Sequence, residues 1–289
     1  MLGFVNVFKP AGPTSAQVGA RVRRMFAKLL GSKVPAGHLG TLDPMASGVL
    51  PIALGKATRL LPLIEDRRKA YVCVMVLGRS TVTGDATGET LEEAGLPPDA
   101  VARIASVLPR FVGAIEQVPP MYSAVRVGGR RLYELARAGE TIERGSRKVT
   151  IYGVSLLGAE GAAVRLSVAC SEGTYIRTLC EDIAKAAGLV AHMGALLREA
   201  SGPFVVFDSV LLDDIEADPQ RALISPEHVI PIPTIVLDGR SAADFRAGRM
   251  IPLPAGAPGK HVFVRDSGRN LVGVGELMGV LLAPRKVFV

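Results

Sequence analysis

Apolar and polar positions along this chain repeat with two different periods, and the places where the period changes are the informative ones. KAYVCVMVLG, Lys69 to Gly78, is apolar on both alternating faces, the pattern of a strand buried inside a sheet. AVRLSVAC sets Val164, Leu166, Val168 and Cys170 on one face of a second strand. The turn SEGT follows, and IRTLCEDIAKAAG then switches to helical spacing with Ile176, Leu179, Cys180 and Ile183 inward. Tyr175 and Arg177 therefore fall at a strand-to-helix junction, where side chains can reach a cleft. Near the N-terminus, FVNVF predicts a short strand ending at Lys9-Pro10, and Gly12-Pro13 a turn whose Thr14 or Ser15 caps a helix. Val18, Val22, Met25 and Leu29 form the apolar stripe of that helix, with Arg21, Arg24 and Lys28 on its flank. Such a flank is ordinarily a solvated face, but a run of bases without acids also suits phosphate contacts.

Between these segments, VPPMYSAVRVGGRRLYELARAGETIERGSRK carries Arg126, Arg130, Arg131, Arg137, Arg144, Arg147 and Lys148 against Glu134, Glu140 and Glu143. Broken by Pro119-Pro120 and Gly128-Gly129, it predicts a basic excursion from the sheet over about 118–148. Beyond IPIPT the pattern weakens into short strands such as HVFVRD and LVGVGEL, the signature of a small β-rich terminal domain.

Charge narrows the class of partner. The 289 residues hold 34 bases against 27 acids, a net charge of +7, which favours a polyanion. Cys73, Cys170 and Cys180 lie in apolar patterns without a CxxC pair, as reduced core residues of a cytosolic protein would. No apolar run reaches the roughly 18 residues of a membrane span.

Several familiar motifs fail on spacing. GVLPIALGKAT has a Gly-Lys pair but Ala57 where a phosphate loop needs Ser or Thr, and VGVGELMG has one residue too many for a dinucleotide fingerprint. His38, His192, His228 and His261 lack any zinc-ligand spacing, and there is no GxSxG elbow. What stands out is HLGTLDPMASG, His38 to Gly48. The 42 residues before Asp43 contain six bases and no acid, so the first carboxylate of the chain sits alone between Leu42 and Pro44. A lone Asp before Pro is usually a turn or cap residue. Here it has company.

KPAGPTS, GHLGTLDPMASGVLPIALGKATRL, KAYV, VPPMYSAVRVGGRRLYELARAG and CSEGTYIRTLCEDIAKAAG, in that order over roughly residues 3 to 210, resemble the TruB family of tRNA pseudouridine-55 synthases. The resemblance implies an α+β pseudouridine synthase fold, with a mixed central sheet and an active-site cleft. It divides the chain into a catalytic domain over 1–230, with the RNA-gripping insertion at about 118–148, and a short PUA-like RNA-binding domain over 235–289. It also implies isomerisation of uridine 55 in the T-loop of tRNA by base flipping. That reaction breaks a C–N bond and forms a C–C bond without net oxidation or hydrolysis, so no cofactor or metal is expected. The expected setting is a cytoplasmic monomer, off the membrane, with tRNA as partner and no obligatory protein partner.

Residue by residue, the resemblance makes Asp43 the essential carboxylate, acting as a nucleophile on ribose or base or as a base at the ribose C2′, and Arg177 its cationic partner. Tyr71 would stack on the target base and help remove the C5 proton. His38 would stabilise the flipped nucleotide, Tyr175 and Leu196 would line the pocket, and Lys9 of the KP motif would support it. The family often has Arg-Arg after the pocket leucine where this chain has Leu197-Arg198, so a register shift of one would put Leu197 against the base. Arg126, Arg130, Arg131 and Arg137 are the candidate phosphate contacts of the excursion. Competing interpretations are a non-catalytic RNA-binding or tRNA-folding module of the same fold, a guide-dependent synthase subunit, and a glycoside hydrolase, which would need a second motif carboxylate.

Overall fold

The computed structural model describes residues 2–123, 125–140, 142–253 and 259–288, except for the side chains of Leu2, Arg126, Arg131 and Arg137. Strand β1 (Leu2–Lys9) stops at Pro10, and helix α1 (Ser15–Leu30) starts from a capping box in which Thr14 Oγ1 accepts from the Gln17 amide and the Gln17 side chain accepts from the Thr14 amide. Val18, Val22, Met25 and Phe26 are its buried residues; Leu29, on the last turn before Gly31, is 43 % exposed, so the expected stripe ends one turn early. Strands β2 (Ala36–His38) and β3 (Ser47–Gly55) flank the HLGTLDPMASG loop, and β3 pairs along the whole of β1.

Next come β4 (Lys69–Leu77), the small hairpin of β5 (Arg79–Thr81) and β6 (Thr90–Glu93), helix α2 (Ala100–Val107) and β7 (Gly113–Gln117). The excursion is not structureless. It holds a second hairpin, β8 (Arg126–Val127) with β9 (Arg130–Arg131), and helix α3 (Leu132–Arg137). The chain returns through β10 (Arg147–Glu160), β11 (Ala163–Cys170), helix α4 (Ile176–Ala186), β12 (Ala191–Ser201) and β13 (Phe204–Val205), then helices α5 (Leu212–Ala217) and α6 (Pro226–Val229).

Among the described residues nine strands form the main sheet, in the order β1-β3-β12-β4-β11-β10-β7, with β2 beside β3 and β13 beside β12. Its neighbours run antiparallel except β3 and β12, which pair in parallel at Ser47–Leu197 and Gly48–Arg198. The sheet is therefore mixed, as expected. Helices α2 and α4 cover one face, closing a core that includes Met75, Ile104, Leu166, Leu179 and Ile183. Helix α1 covers the β1–β3 end through Val22 and Phe26 against Val7, Leu50 and Ile52. Cys73, Cys170 and Cys180 are free, buried thiols within this architecture.

A second, five-stranded sheet follows, built from β14 (Thr234–Val236), β15 (Ile251–Pro252), β16 (His261–Arg265), β17 (Leu271–Met278) and β18 (Leu281–Val287), with α7 (Gly239–Arg246) against it. It is not a loose appendage: Phe263, Val274 and Phe288 share one apolar cluster with Phe4, Leu39, Val49 and Leu60. Leu39 belongs to the motif loop, so the terminal sheet reaches the support of the site. No helix among the described residues is long and apolar enough to cross a membrane.

Candidate active site

The two N-terminal motifs are parts of one device. Lys9 Nζ, fully buried at the end of β1, donates to the carbonyls of Pro10 at 2.9 Å, Pro44 at 3.0 Å and Ala46 at 2.6 Å. Ser15 Oγ donates to Leu42 O at 2.9 Å and accepts from Leu42 N at 2.8 Å, and Gly12 N donates to Pro44 O at 2.8 Å. KPAGPTS thus wraps the backbone on both sides of Asp43. Burial pulls the Lys9 ammonium down to about 8, with the Asp43 charge opposing that fall. Lys9 is occupied by three loop carbonyls, which suits support of the site.

Arg177, on the first turn of α4 and 3 % exposed, faces Asp43 edge-on. Nε donates to Asp43 Oδ2 at 2.9 Å and Nη2 to Oδ1 at 3.3 Å, while Nη1 donates to Thr83 O and Nη2 also to Tyr122 O, each at 2.8 Å. The Asp43 side chain keeps 33 % of its surface exposed, so the carboxylate is fixed by a buried cation yet open to the cleft. Behind Arg177 stands a residue the sequence reading did not single out, Asp85, with Oδ2 at 3.8 Å from Nε and only 8 % exposed. Its Oδ1 accepts from Thr83 Oγ1, Thr87 N and Thr87 Oγ1. Glu181, one helical turn after Arg177, packs against the same turn: a Cβ on Gly84, which has φ +70°, would stand 2.6 Å from Glu181 Oε1. Burial, and after it the Asp182 charge, pushes the Glu181 carboxyl up to about 7. The sequence offered only TVTGDATG, a run of turn formers, as a sign that this loop carries chemistry.

The floor of the cleft is β4 and β12. Their register sets Arg198 opposite Tyr71 and Leu196 opposite Cys73, so Leu196 shares the face of Tyr71, whereas Leu197 pairs with Val72 and points to the other face. Leu196 accordingly joins the core cluster with Leu42, Ala46 and Tyr71. The segment HMGALLREAS is a strand, not a helix, because its apolar positions pack across a sheet. Arg198 is 1 % exposed; Nε donates to Val49 O at 2.7 Å, Nη2 to Gly40 O at 3.1 Å and Nη1 to Thr41 O at 3.4 Å, and the guanidinium also bonds the Tyr71 phenol. Burial pushes that phenol above its ordinary value, with the Arg198 charge opposing. Lys69, drawn down to about 8 by burial and then by Arg198, donates to Ser201 Oγ at 2.6 Å, and Ser201 Oγ donates to Leu39 O. Lys69 and Arg198 therefore brace the motif loop from below as Lys9 does from the side. His38, at the end of β2, is half-buried with Nδ1 unpartnered; burial, then Arg198, lowers its imidazole.

Tyr175 caps α4, its amide and carbonyl both held by the Gln117 side chain at 2.8 and 3.0 Å, with the Arg147 guanidinium 4.7 Å from the ring centroid. Of the excursion's candidate phosphate contacts, Arg130 is paired with Glu140 at 3.1 Å, and the side chains of Arg126, Arg131 and Arg137 lie outside the described residues. On α1, Arg21 is tied to Asp213 and Glu216, which leaves Arg23, Arg24 and Lys28 as the exposed bases of that helix.

With this geometry in place the comparisons are unambiguous. Residues 27–176 match the model of the TruB family pseudouridylate synthase N-terminal domain, and residues 177–228 that of the tRNA pseudouridylate synthase B C-terminal domain. The chain belongs to the TruB family. A tRNA pseudouridine synthase B from Dechloromonas aromatica is 41 % identical over 99 % of this chain and 95 % of its own length, and one from Pseudomonas putida 39 % identical over the same shares. Among solved structures, a Cbf5-Nop10-Gar1 complex matches at 30 % identity with a TM-score of 0.68, covering 99 % of this chain and 85 % of that one. An H/ACA RNP bound to a substrate RNA containing 2'-deoxyuridine matches at 28 % and 0.67 over the same shares. The two TruB family matches end at residue 228, before the second sheet begins at Thr234.

Proposed function

We propose that this protein is a tRNA pseudouridine synthase that isomerises uridine 55 in the T-loop of tRNA, with Asp43 as the essential carboxylate. The observation that carries the proposal is the bidentate grip of buried Arg177 on a cleft-facing Asp43 within the family motif. In the reaction the C1′–N1 bond breaks, the base turns, C1′–C5 forms, C5 loses a proton and N1 gains one, so atoms and electrons balance within the nucleotide. Asp43 acts as a nucleophile on ribose or base, or as a base at C2′; a carboxylate suits each route, being ionised near neutrality and a competent leaving group. Arg177 holds it in one orientation throughout.

Tyr71 and Leu196, side by side on the cleft floor, hold the flipped base between ring and methyl groups, with Tyr175 at the rim and His38 beside the displaced nucleotide. Removal of the C5 proton by the Tyr71 phenol requires an ionisation that burial opposes and Arg198 favours. The bases of α1 and the excursion take the phosphates, and the short sheet over 235–289 serves as a PUA-like RNA-binding domain. The named relatives at 39–41 % identity favour a stand-alone, monomeric, cytoplasmic enzyme over a guide-dependent subunit, the Cbf5 neighbours standing at 28–30 %. Mapping pseudouridine in an unmodified tRNA transcript after incubation tests the proposal: a single new residue at T-loop uridine 55 is expected, and none anywhere would refute it.

A further inference from the structure

The root of the excursion carries guanidinium donors that the rest of the protein does not use. Arg144 Nη1 donates to Pro119 O at 3.0 Å, but Arg144 Nε is buried without a hydrogen-bond partner, and so are Arg147 Nε and Nη2. Buried charged donors without acceptors are rare in folded proteins, and each one calls for a partner. Neither arginine forms an ion pair with a carboxylate among the described residues, although the neighbouring Glu116 lies on the facing strand; its Oε2 accepts instead from Ser146 Oγ at 2.9 Å.

The position is as telling as the valence. Arg147 opens β10, opposite Gln117 in the register, and its guanidinium stacks on Tyr175, whose backbone that same Gln117 clamps. Tyr175 is two residues from Arg177, so the unused donors adjoin the cleft wall next to the reaction centre. Both arginines are half-buried, which leaves guanidinium edges within reach of a ligand entering that cleft. A planar fork held by a ring stack matches two oxygens of a tetrahedral anion better than a flexible ammonium would.

We propose that Arg144 and Arg147 form a phosphate site at the root of the excursion, which takes a phosphodiester of the RNA strand beside the flipped nucleotide. It rests on the tRNA synthase function proposed above and adds to it a specific pair of residues that aligns the strand before the base turns. The bases at the excursion's tip supply diffuse attraction; this pair supplies register.

The test is equilibrium binding of an unmodified tRNA transcript between about 50 and about 200 mM salt, with turnover measured on the same samples. Replacing Arg147 by Met should raise Kd about tenfold and flatten the slope of log K against log salt by about 0.7, the contribution of one single-strand phosphate. The loss should fall on KM more than on kcat. Arg147→Lys should keep the slope while losing part of the affinity, because charge survives and the fork does not. Since Arg147→Met removes the stack on Tyr175, Arg144→Met, which leaves that stack alone, is measured in parallel, with thermal melts to show that both fold. Wild-type slope and affinity in both folded Met variants would overturn the proposal. Failure of the wild type itself to bind or isomerise tRNA would instead overturn the parent function, and this site with it.

Discussion

Arg177 and Asp43, 134 positions apart in sequence, meet through two parallel hydrogen bonds, Nε to Oδ2 at 2.9 Å and Nη2 to Oδ1 at 3.3 Å. The remaining donors of the guanidinium go to Thr83 O and Tyr122 O, so one side chain joins the motif loop, the Asp85 turn and the root of the excursion. A lysine at 177 could reach one carboxylate oxygen but not both, nor the two carbonyls. Arg177→Lys should lower kcat by about a hundredfold or more while Kd for tRNA changes by less than about threefold. Single-turnover rates with filter binding on the same variant check both halves, and wild-type turnover would remove Arg177 from the mechanism.

Gly48 closes the motif with φ +104°, and a Cβ there would stand 2.3 Å from the carbonyl oxygen of Arg198 on the paired strand. Both the backbone conformation and the space demand glycine. Gly48→Ala should cost about 2 kcal/mol or more, from strain together with loss of the β3–β12 contact. Urea denaturation of the variant measures that loss.

Glu181 gives the fold a pH signature. Its folded carboxyl is raised to about 7 from an ordinary 4.5, chiefly by burial, so the folded state holds a proton that the unfolded state releases. The resulting stability is fully present below about pH 4.5 and is lost as pH rises through about 7. Glu181→Gln, which cannot ionise, should therefore gain in Tm relative to wild type as pH is raised from 5 to 8 across that window, and show a flatter profile. Parallel melting curves of the two proteins across the window would contradict the assignment.

The terminal sheet shares a core with the motif loop through Phe263, Val274 and Leu39. Phe263→Ala should cost about 3–5 kcal/mol and lower turnover as well as stability, since the cavity opens beneath Leu39. A variant that lost only tRNA affinity, with unchanged melting temperature, would show that the terminal sheet acts on RNA alone.

Much of this arrangement was legible in the chain. The strand at Lys69–Leu77, the strand at Ala163–Cys170 and the helix after Tyr175 follow from apolar periodicity, because a half-covered sheet and a helix packed on it leave their periods in the sequence. Asp43, Arg177 and Tyr71 were accessible through motif resemblance. What escaped was whatever depends on long-range pairing. Arg198 reads as one more surface base until β12 is laid opposite Tyr71, and Asp85 reads as a turn residue until α4 brings Arg177 to it. Leu196 was settled against Leu197 by strand register, which no local pattern encodes. The isolation of Asp43 among bases also has a nearer cause than RNA charge: the cations facing it are Arg177 and Lys9, both buried, while Arg21 is spent on Asp213 and Glu216.

The central claim, that Asp43 performs an isomerisation on tRNA, is tested most directly by tritium release from an unmodified tRNA transcript labelled at uridine C5, comparing wild type with Asp43→Ala. Release by the wild type and none by the variant, with tRNA affinity kept within about threefold, is the expected result. Release at the wild-type rate by the variant, or tight binding by both proteins with release by neither, would contradict the account.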